Sequence, residues 1–359
     1  MARMSRLYRV AVIGRTGRGN YGHGLDTVWK EFPNCKVVAV ADEDEAGAKA
    51  AAARLGAPAI YTDYAKMLSA ERPDVVSVAP RWLDPHHDMV LACAEAHASV
   101  FLEKPMARTL AEADAMIAAC ERSHVKLALA YQMRLAPAVL DARDRLLRGE
   151  IGQLLEVRAR GKEDLRAGGE DLMVLGTHVF DLMRLFAGDP EWCFAHVGAG
   201  DRDAGPSATR PGAEGMGWMA GDRLAATYGF SRGVYGYFAS QRSDDASGVR
   251  FGLDLYGNRG VMQLRAMDRA VFLLRSADWT PEKSQWERLP APPDAAGLAA
   301  GNVRLVTDLL ESIEQDRQPT TSGYAGRWSL EMILSVYAAH RAGARVGLPL
   351  KDRRHPLSV

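Results

Sequence analysis

The sequence predicts a two-part α/β protein. An N-terminal doubly wound parallel sheet is followed by a C-terminal α+β domain with a large, mainly antiparallel open sheet. Three observations predict this. Short β-branched apolar runs alternate with helical segments through the first third. After about residue 150 strand signals follow one another directly. A glycine-rich turn closes the first apolar run. The chain has 359 residues, room for two domains at roughly 150 residues each. The expected division is residues 1–132 for the first domain and 133–359 for the second.

The first strand is Tyr8–Ile13, closed by Gly14, and the second is Lys36–Ala41. Alanine-rich Ala46–Leu55 reads as helix. Val75–Ala79, ended by Pro80, and Val100–Leu102 are buried strands separated by a helix over Met89–Ala96. Ala111–Ser123 is helical, with Thr109 and Glu112 placed for a capping box. Lys126–Tyr131 is a further strand. Repeated β-α units imply a parallel sheet covered on both faces. In the second half strands are expected at Leu154–Gly161, Ala225–Phe230, Val234–Arg242, Arg250–Tyr256, Gly260–Arg265 and Ala270–Leu274. A single helix over Asp171–Phe186 interrupts them, and helices over Val303–Gln315 and Arg327–Ala342 follow. Asp201–Gly221, rich in Gly, Ala and Pro, is expected to be a long surface loop of the kind that covers active sites.

Composition narrows the function. Lys plus Arg and Asp plus Glu both number 45, so net charge is zero. No basic excess points to nucleic acid. No stretch is long and apolar enough for a membrane span, and Met1–Arg9 lacks the apolar core of a signal peptide. The four scattered cysteines, Cys35, Cys93, Cys120 and Cys193, form no C-x-x-C pair and read as reduced small hydrophobes of a cytoplasmic protein. The adjacent histidines 86 and 87 do not easily face one ion, and no clustered ligand set appears, so no metal site is expected.

Gly14-Arg15-Thr16-Gly17-Arg18-Gly19 follows the first strand directly. Glycines there let backbone N–H groups approach a pyrophosphate at a helix N-terminus. Thr16 occupies the usual second glycine. Asp42, closing the second strand, is placed to accept hydrogen bonds from the adenosine ribose. The acidic run Asp42–Glu45 disfavours a 2′-phosphate, so NAD is expected ahead of NADP. Glu103-Lys104-Pro105 ends a buried strand, at the sheet edge where open α/β folds bind ligands. A lysine there has a movable pKa and three donors. Pro80, Glu103 and Lys104 join the glycine turn as cofactor-contact candidates.

Taken together, the chain resembles the Gfo/Idh/MocA (glucose–fructose oxidoreductase and inositol dehydrogenase) family. The glycine turn, His86, Glu103-Lys104-Pro105, Tyr131-Gln132-Met133-Arg134, Gly149-Glu150-Ile151-Gly152, Gly176-Thr177-His178-Val179-Phe180-Asp181 and Leu348-Pro349-Leu350 carry the resemblance. It implies an N-terminal Rossmann domain and hydride transfer between a nicotinamide and a sugar, glycoside or cyclitol hydroxyl, with Lys104 and His178 handling the proton. The family's aspartate four residues before the histidine is here Val174. Asp171, one helical turn back, is a displaced substitute or a helix-start residue; Glu163 and Asp164 are rival acids. These three, with Tyr131, Arg134 and His178, are the expected substrate contacts. A glycosidase or lyase that uses NAD transiently is the second reading, and a non-catalytic NAD-dependent sensor the third. An exposed apolar sheet face predicts a homodimer or homotetramer.

Overall fold

The computed structural model describes residues 6–242, 250–265, 270–276, 286–290 and 297–358. These residues form two compact units. The first comprises residues up to Ala130 with Glu214–Met216 and Asn302–Arg327, and the second comprises Tyr131–Ala213, Gly217–Gly301 and Trp328 onward.

The first unit is built on β1 (Tyr8–Ile13), β2 (Cys35–Ala41), β3 (Ala59–Tyr61), β4 (Val75–Val78), β5 (Ser99–Leu102) and β6 (Leu127–Leu129). All are parallel, in the order β3-β2-β1-β4-β5-β6. Every residue of β4 and β5 is buried, as expected of strands covered on both faces. The helices α1 (Glu45–Leu55), α2 (Tyr64–Glu71), α3 (His86–Glu95) and α4 (Leu110–Arg122) connect them. Their starts are chemically marked: Asp44 accepts from Gly47 N and Asp63 from Ala65 N, both ordinary N-caps. Thr109 accepts from Glu112 N, but the Glu112 carboxylate reaches Arg108 N instead of closing a full capping box. β3 and α2 were not expected from sequence. Strand order reverses between β1 and β4, and a crevice at the carboxyl ends on either side of that reversal is where such sheets bind ligands.

One local expectation fails here. No α-helix follows the glycine turn. Residues 21–27 run through turns, and only a 3-10 turn at Val28–Glu31 comes next. Gly17, Gly19, Gly22 and Gly24 all have positive φ, so the backbone coils where a helix would start.

The second unit carries a ten-stranded mixed, mainly antiparallel sheet. β7 (Leu154–Arg160) lies between Tyr235–Gln241, its one parallel partner, and Gly252–Gly257, which is antiparallel. Gly260–Arg265 and Ala270–Leu274 continue one side; Arg223–Phe230 and β8 (Pro190–Ala199) continue the other. β8, absent from the sequence-based assignment, buries Cys193, Ala195 and Val197 and turns Phe194 and His196 outward. On the inner face Phe180 packs against Phe238 and Tyr228 at ring-centroid distances of 4.8 and 5.5 Å. After α5 (Pro137–Leu147), the expected helix over 171–186 is two helices, α6 (Gly169–Val174) and α7 (Gly176–Ala187), broken at Leu175. The 201–221 segment is not wholly superficial: Met216, Met219 and Ala220 are buried.

Candidate active site

In the first unit the chain places the glycine turn, the exit of β4 and the exit of β5 together. A Cβ on Gly19 would lie 2.6 Å from the backbone nitrogens of Arg81 and Trp82, so only glycine lets the turn pass this close. His86, fully buried at the start of α3, approaches Pro80 O with Nε2 at 2.7 Å and Pro105 O with Nδ1 at 3.1 Å. It thereby ties the β4 exit to the segment after β5. Burial pushes its pKa down, against the pull of those carbonyls. Glu103 and Lys104 are 0% and 7% exposed. Glu103 N bonds Val78 O, fixing the β5 exit against β4.

Asp42 is tied into the glycine turn. It is buried, and its carboxylate accepts from three donors: Thr16 N, shared between Oδ1 and Oδ2, Asp44 N on Oδ1, and Thr16 Oγ1 on Oδ2 at 2.7 Å. A carboxylate offers about four lone-pair sites, so these three donors leave about one for a ribose hydroxyl. Thr16, at the second-glycine position, is the residue that occupies Asp42. Its Oγ1 would sit 2.0 Å from a Cβ on Gly47, which requires glycine at 47. Arg15 and Arg18 are likewise engaged, both with Asp84 and Arg15 also with Glu43. Glu214, from the 201–221 segment, bonds Leu83 N through its carbonyl and pairs with Arg81.

In the second unit α7 and the Tyr131–Leu135 turn assemble a second cluster. The Tyr131 ring meets the His178 ring edge-on at 5.7 Å, and its hydroxyl lies 2.8 Å from Thr177 Oγ1. Burial pushes the Tyr131 pKa up to about 12, so the phenol stays protonated. Arg134 donates to the backbone oxygen of Asp181 and to its Oδ1 at 2.8 Å. Burial raises the Asp181 pKa while Arg134 opposes it. His178 is 5% exposed, and its N–H bonds Leu175 O at the helix break.

The three candidate substitute acids do not join this cluster. Asp171 accepts from Lys162 N, Glu163 N and Ser240 Oγ, holding the turn after β7. Glu163 takes Arg160, Gln241 N and Arg250. Asp164 takes Arg166 and Lys162, and its Arg166 hydrogen bond does most to hold the carboxyl well below the usual range. The helix break at Leu175 also removes the continuous face that would align 171, 174 and 178. Sequence reasoning missed two more residues of the first cluster, His23 and Asn302. His23 Nδ1 is 3.1 Å from Glu103 Oε1, and Asn302 Nδ2 donates to His23 O. The only sequence signal was a histidine inside the glycine run.

The first unit fits a dinucleotide. The glycine at 19 permits close backbone approach, and buried Glu103 Oε2 has no hydrogen-bond partner among the described residues. No group of three or more potential metal ligands occurs among the described residues, and none of their helices is long and apolar enough to cross a membrane.

Comparison with known proteins agrees. Residues 8–131 match the family described as "Oxidoreductase family, NAD-binding Rossmann fold". A D-apiose dehydrogenase from Paraburkholderia graminis is 27% identical over 95% of this chain and 90% of its own length. A D-xylose 1-dehydrogenase (NADP(+)) from Haloferax volcanii is 32% identical over 45% of this chain; that match spans about half of the relative (52%). The crystal structure of an NAD binding oxidoreductase from Klebsiella pneumoniae superposes with a TM-score of 0.78 at 21% identity, covering 97% of this chain and 100% of that one; the likeness shows the fold. Residues 8–131 are thus similar to the Gfo/Idh/MocA family of NAD-binding oxidoreductases.

Proposed function

We propose that the protein is an NAD-dependent dehydrogenase of a sugar, glycoside or cyclitol hydroxyl, with Lys104 and His178 as its proton-handling groups. The observation that carries this is Lys104 itself, buried just past the carboxyl end of β5 and next to Glu103 in the chain. The sugar reading rests on the dehydrogenase names of the relatives.

The glycine turn and the Pro80 and Glu103 segments would hold the dinucleotide, whose nicotinamide supplies the hydride acceptor. Lys104 donates a hydrogen bond to the hydroxyl oxygen and stabilises charge developing there. His178 accepts the proton, the role for which imidazole is suited near neutral pH. The Tyr131 ring, locked by its bond to Thr177, orients the imidazole. Arg134, fixed by Asp181, is a substrate contact. Asp171, Glu163 and Asp164 are left out because other groups occupy their carboxylates.

Incubation with NAD and a panel of sugars and cyclitols tests the reading. Stoichiometric NADH for one class is the expected result. Cleaved product without NADH would replace it with the redox-neutral glycosidase or lyase, and NADH binding without turnover on any panel member would favour a sensor.

The outward sheet face presents Phe194, Tyr235 and Tyr237 at 48%, 47% and 36% exposure. Covering it with a second copy gives a homodimer or homotetramer, which sedimentation at micromolar concentration tests. A cytoplasmic location goes with the four cysteines, all free thiols.

A further inference from the structure

We propose that the side chains of Arg54 and Arg81 anchor the diphosphate of the dinucleotide, in place of the helix N-terminus that ordinarily receives it. The inference rests on the NAD-dependent reading above and adds the groups that meet the cofactor's negative charge.

A glycine turn holds a diphosphate with free backbone N–H groups and with the positive end of the helix that follows. Here the helix is missing and most of those N–H groups are occupied. Residues 21–27 run through turns where a helix would start. Arg15 N and Asn20 N each bond the other's carbonyl oxygen, and Arg18 N bonds Arg15 O. Gly17 N bonds Asn20 Oδ1, and Thr16 N bonds Asp42. The turn is closed on itself, so a diphosphate brought to it needs other donors.

Arginines stand beside the turn. An open cleft of about 600 Å³ is lined by Thr16 and Gly19 of the turn, by Gly47, Ala50 and Arg54 on one face of α1, and by Arg81 from the β4 exit. Among the described residues no Asp or Glu lines it. Its permanently charged side chains are therefore both cations. Arg54 gives Nε and Nη2 to buried Asp26 at 3.0 and 2.6 Å, and its guanidinium lies over the Tyr21 ring at 5.1 Å. The Tyr21 ring in turn lies across Gly14, where a Cβ would come within 2.2 Å of it. Tyr21 and Asp26 both belong to the coil that stands in the helix's place. The segment that gives up the helix dipole thus fixes a guanidinium at the cleft. Arg81 places Nη2 3.5 Å from Glu214 Oε1, at the limit of a hydrogen bond. A guanidinium carries five N–H donors. Nη1 of Arg54 and most of the Arg81 fork remain, and that fork matches phosphate oxygens two at a time.

Binding of NADH, ADP-ribose and adenosine to wild type, Arg81→Ala and Arg54→Lys tests this. Of the three ligands only adenosine lacks the diphosphate. Arg81→Ala is expected to raise the NADH and ADP-ribose dissociation constants about tenfold and the adenosine constant less than about twofold. Arg54→Lys keeps a cation for Asp26 but loses the fork, and should raise the first two about threefold. Its unchanged adenosine constant would show that the unit is still folded. Added salt should weaken NADH binding more in wild type than in Arg81→Ala, because an exposed ion pair is screened. Equal weakening of all three ligands by Arg81→Ala would mean a merely structural arginine and overturn the proposal. Unchanged NADH binding in both variants would place the diphosphate on other donors, and also overturn it. A wild-type chain that binds none of the three would fail the cofactor reading and the proposal with it, an outcome told apart from the other two by the wild type alone.

Discussion

Two buried carboxylates in this chain look alike by burial and differ in what surrounds them. Asp171, in the second unit, accepts from two backbone N–H groups and the Ser240 hydroxyl. Glu103, in the first, has one oxygen on His23 and the other without a partner among the described residues. Burial alone does not mark a functional acid. Asp42 lies between the two, with three donors from Thr16 and Asp44 on its carboxylate.

The contrast is broken or sharpened most strongly at the proposed proton-handling groups. Lys104→Met and His178→Asn are expected to lower turnover by about 10²–10⁴-fold, the range for removing a general acid or base, while NADH still binds. Steady-state kinetics with NADH binding checks this. Near-normal turnover in either variant would remove that residue from the chemistry.

Asp171→Ala should act on stability instead. It leaves Lys162 N and Glu163 N without their acceptor, one of them buried, at a cost of about 3 kcal/mol. At roughly 2–4 °C per kcal/mol for a unit of this size, thermal melting should fall by about 6–12 °C, with the NADH dissociation constant unchanged. Wild-type melting combined with lost turnover would return Asp171 to the active site as the missing aspartate's substitute.

How far the sequence could be read follows the same division between local and long-range causes. The strands β1, β2, β4 and β5 were legible because each is a compact β-branched run between turn residues, and the core of the parallel sheet is made of them. β3, three residues long, has too little pattern to register. β8 was missed because it opens on Pro190 and its inward side chains, Cys193 and Ala195, are small, so its alternation is faint. The break at Leu175 leaves no signal beyond Gly176. Of the proposed site residues, Lys104 and His178 are legible through motifs. His23 is not, because its place in the first cluster depends on Glu103, which is far away in sequence and meets it only when β5 ends beside the glycine run. The engagement of Asp42 was hidden for a similar reason: nothing in the spacing says that the Thr16 side chain turns toward it.

Stability against pH probes the link between the β4 exit and Pro105. Burial lowers the His86 pKa in the folded chain, whereas an unfolded histidine titrates at about 6.5. The folded state therefore holds fewer protons than the unfolded one once pH falls below about 6.5. The histidine's contribution is complete above that value and is lost as pH drops from it toward the folded pKa. His86→Gln should flatten this acid-side slope in urea titrations run between about pH 5 and 7. An unchanged slope would show that imidazolium is accommodated between the two carbonyls.

The smallest effect is expected at Thr16. Thr16→Ala removes the 2.7 Å bond to Asp42 Oδ2 but keeps the bonds from Thr16 N. The loss should be about 1 kcal/mol, read as a slight fall in the urea midpoint. Because Asp42 remains tied to the backbone, the ratio of NADH to NADPH dissociation constants should stay put. A ratio that moved about tenfold would mean that Asp42, once released by the hydroxyl, turns to the ribose. Thr16 would then be the switch between a carboxylate spent on the fold and one available to the cofactor, and the distinction between Asp42 and Glu103 would depend on a single side-chain oxygen.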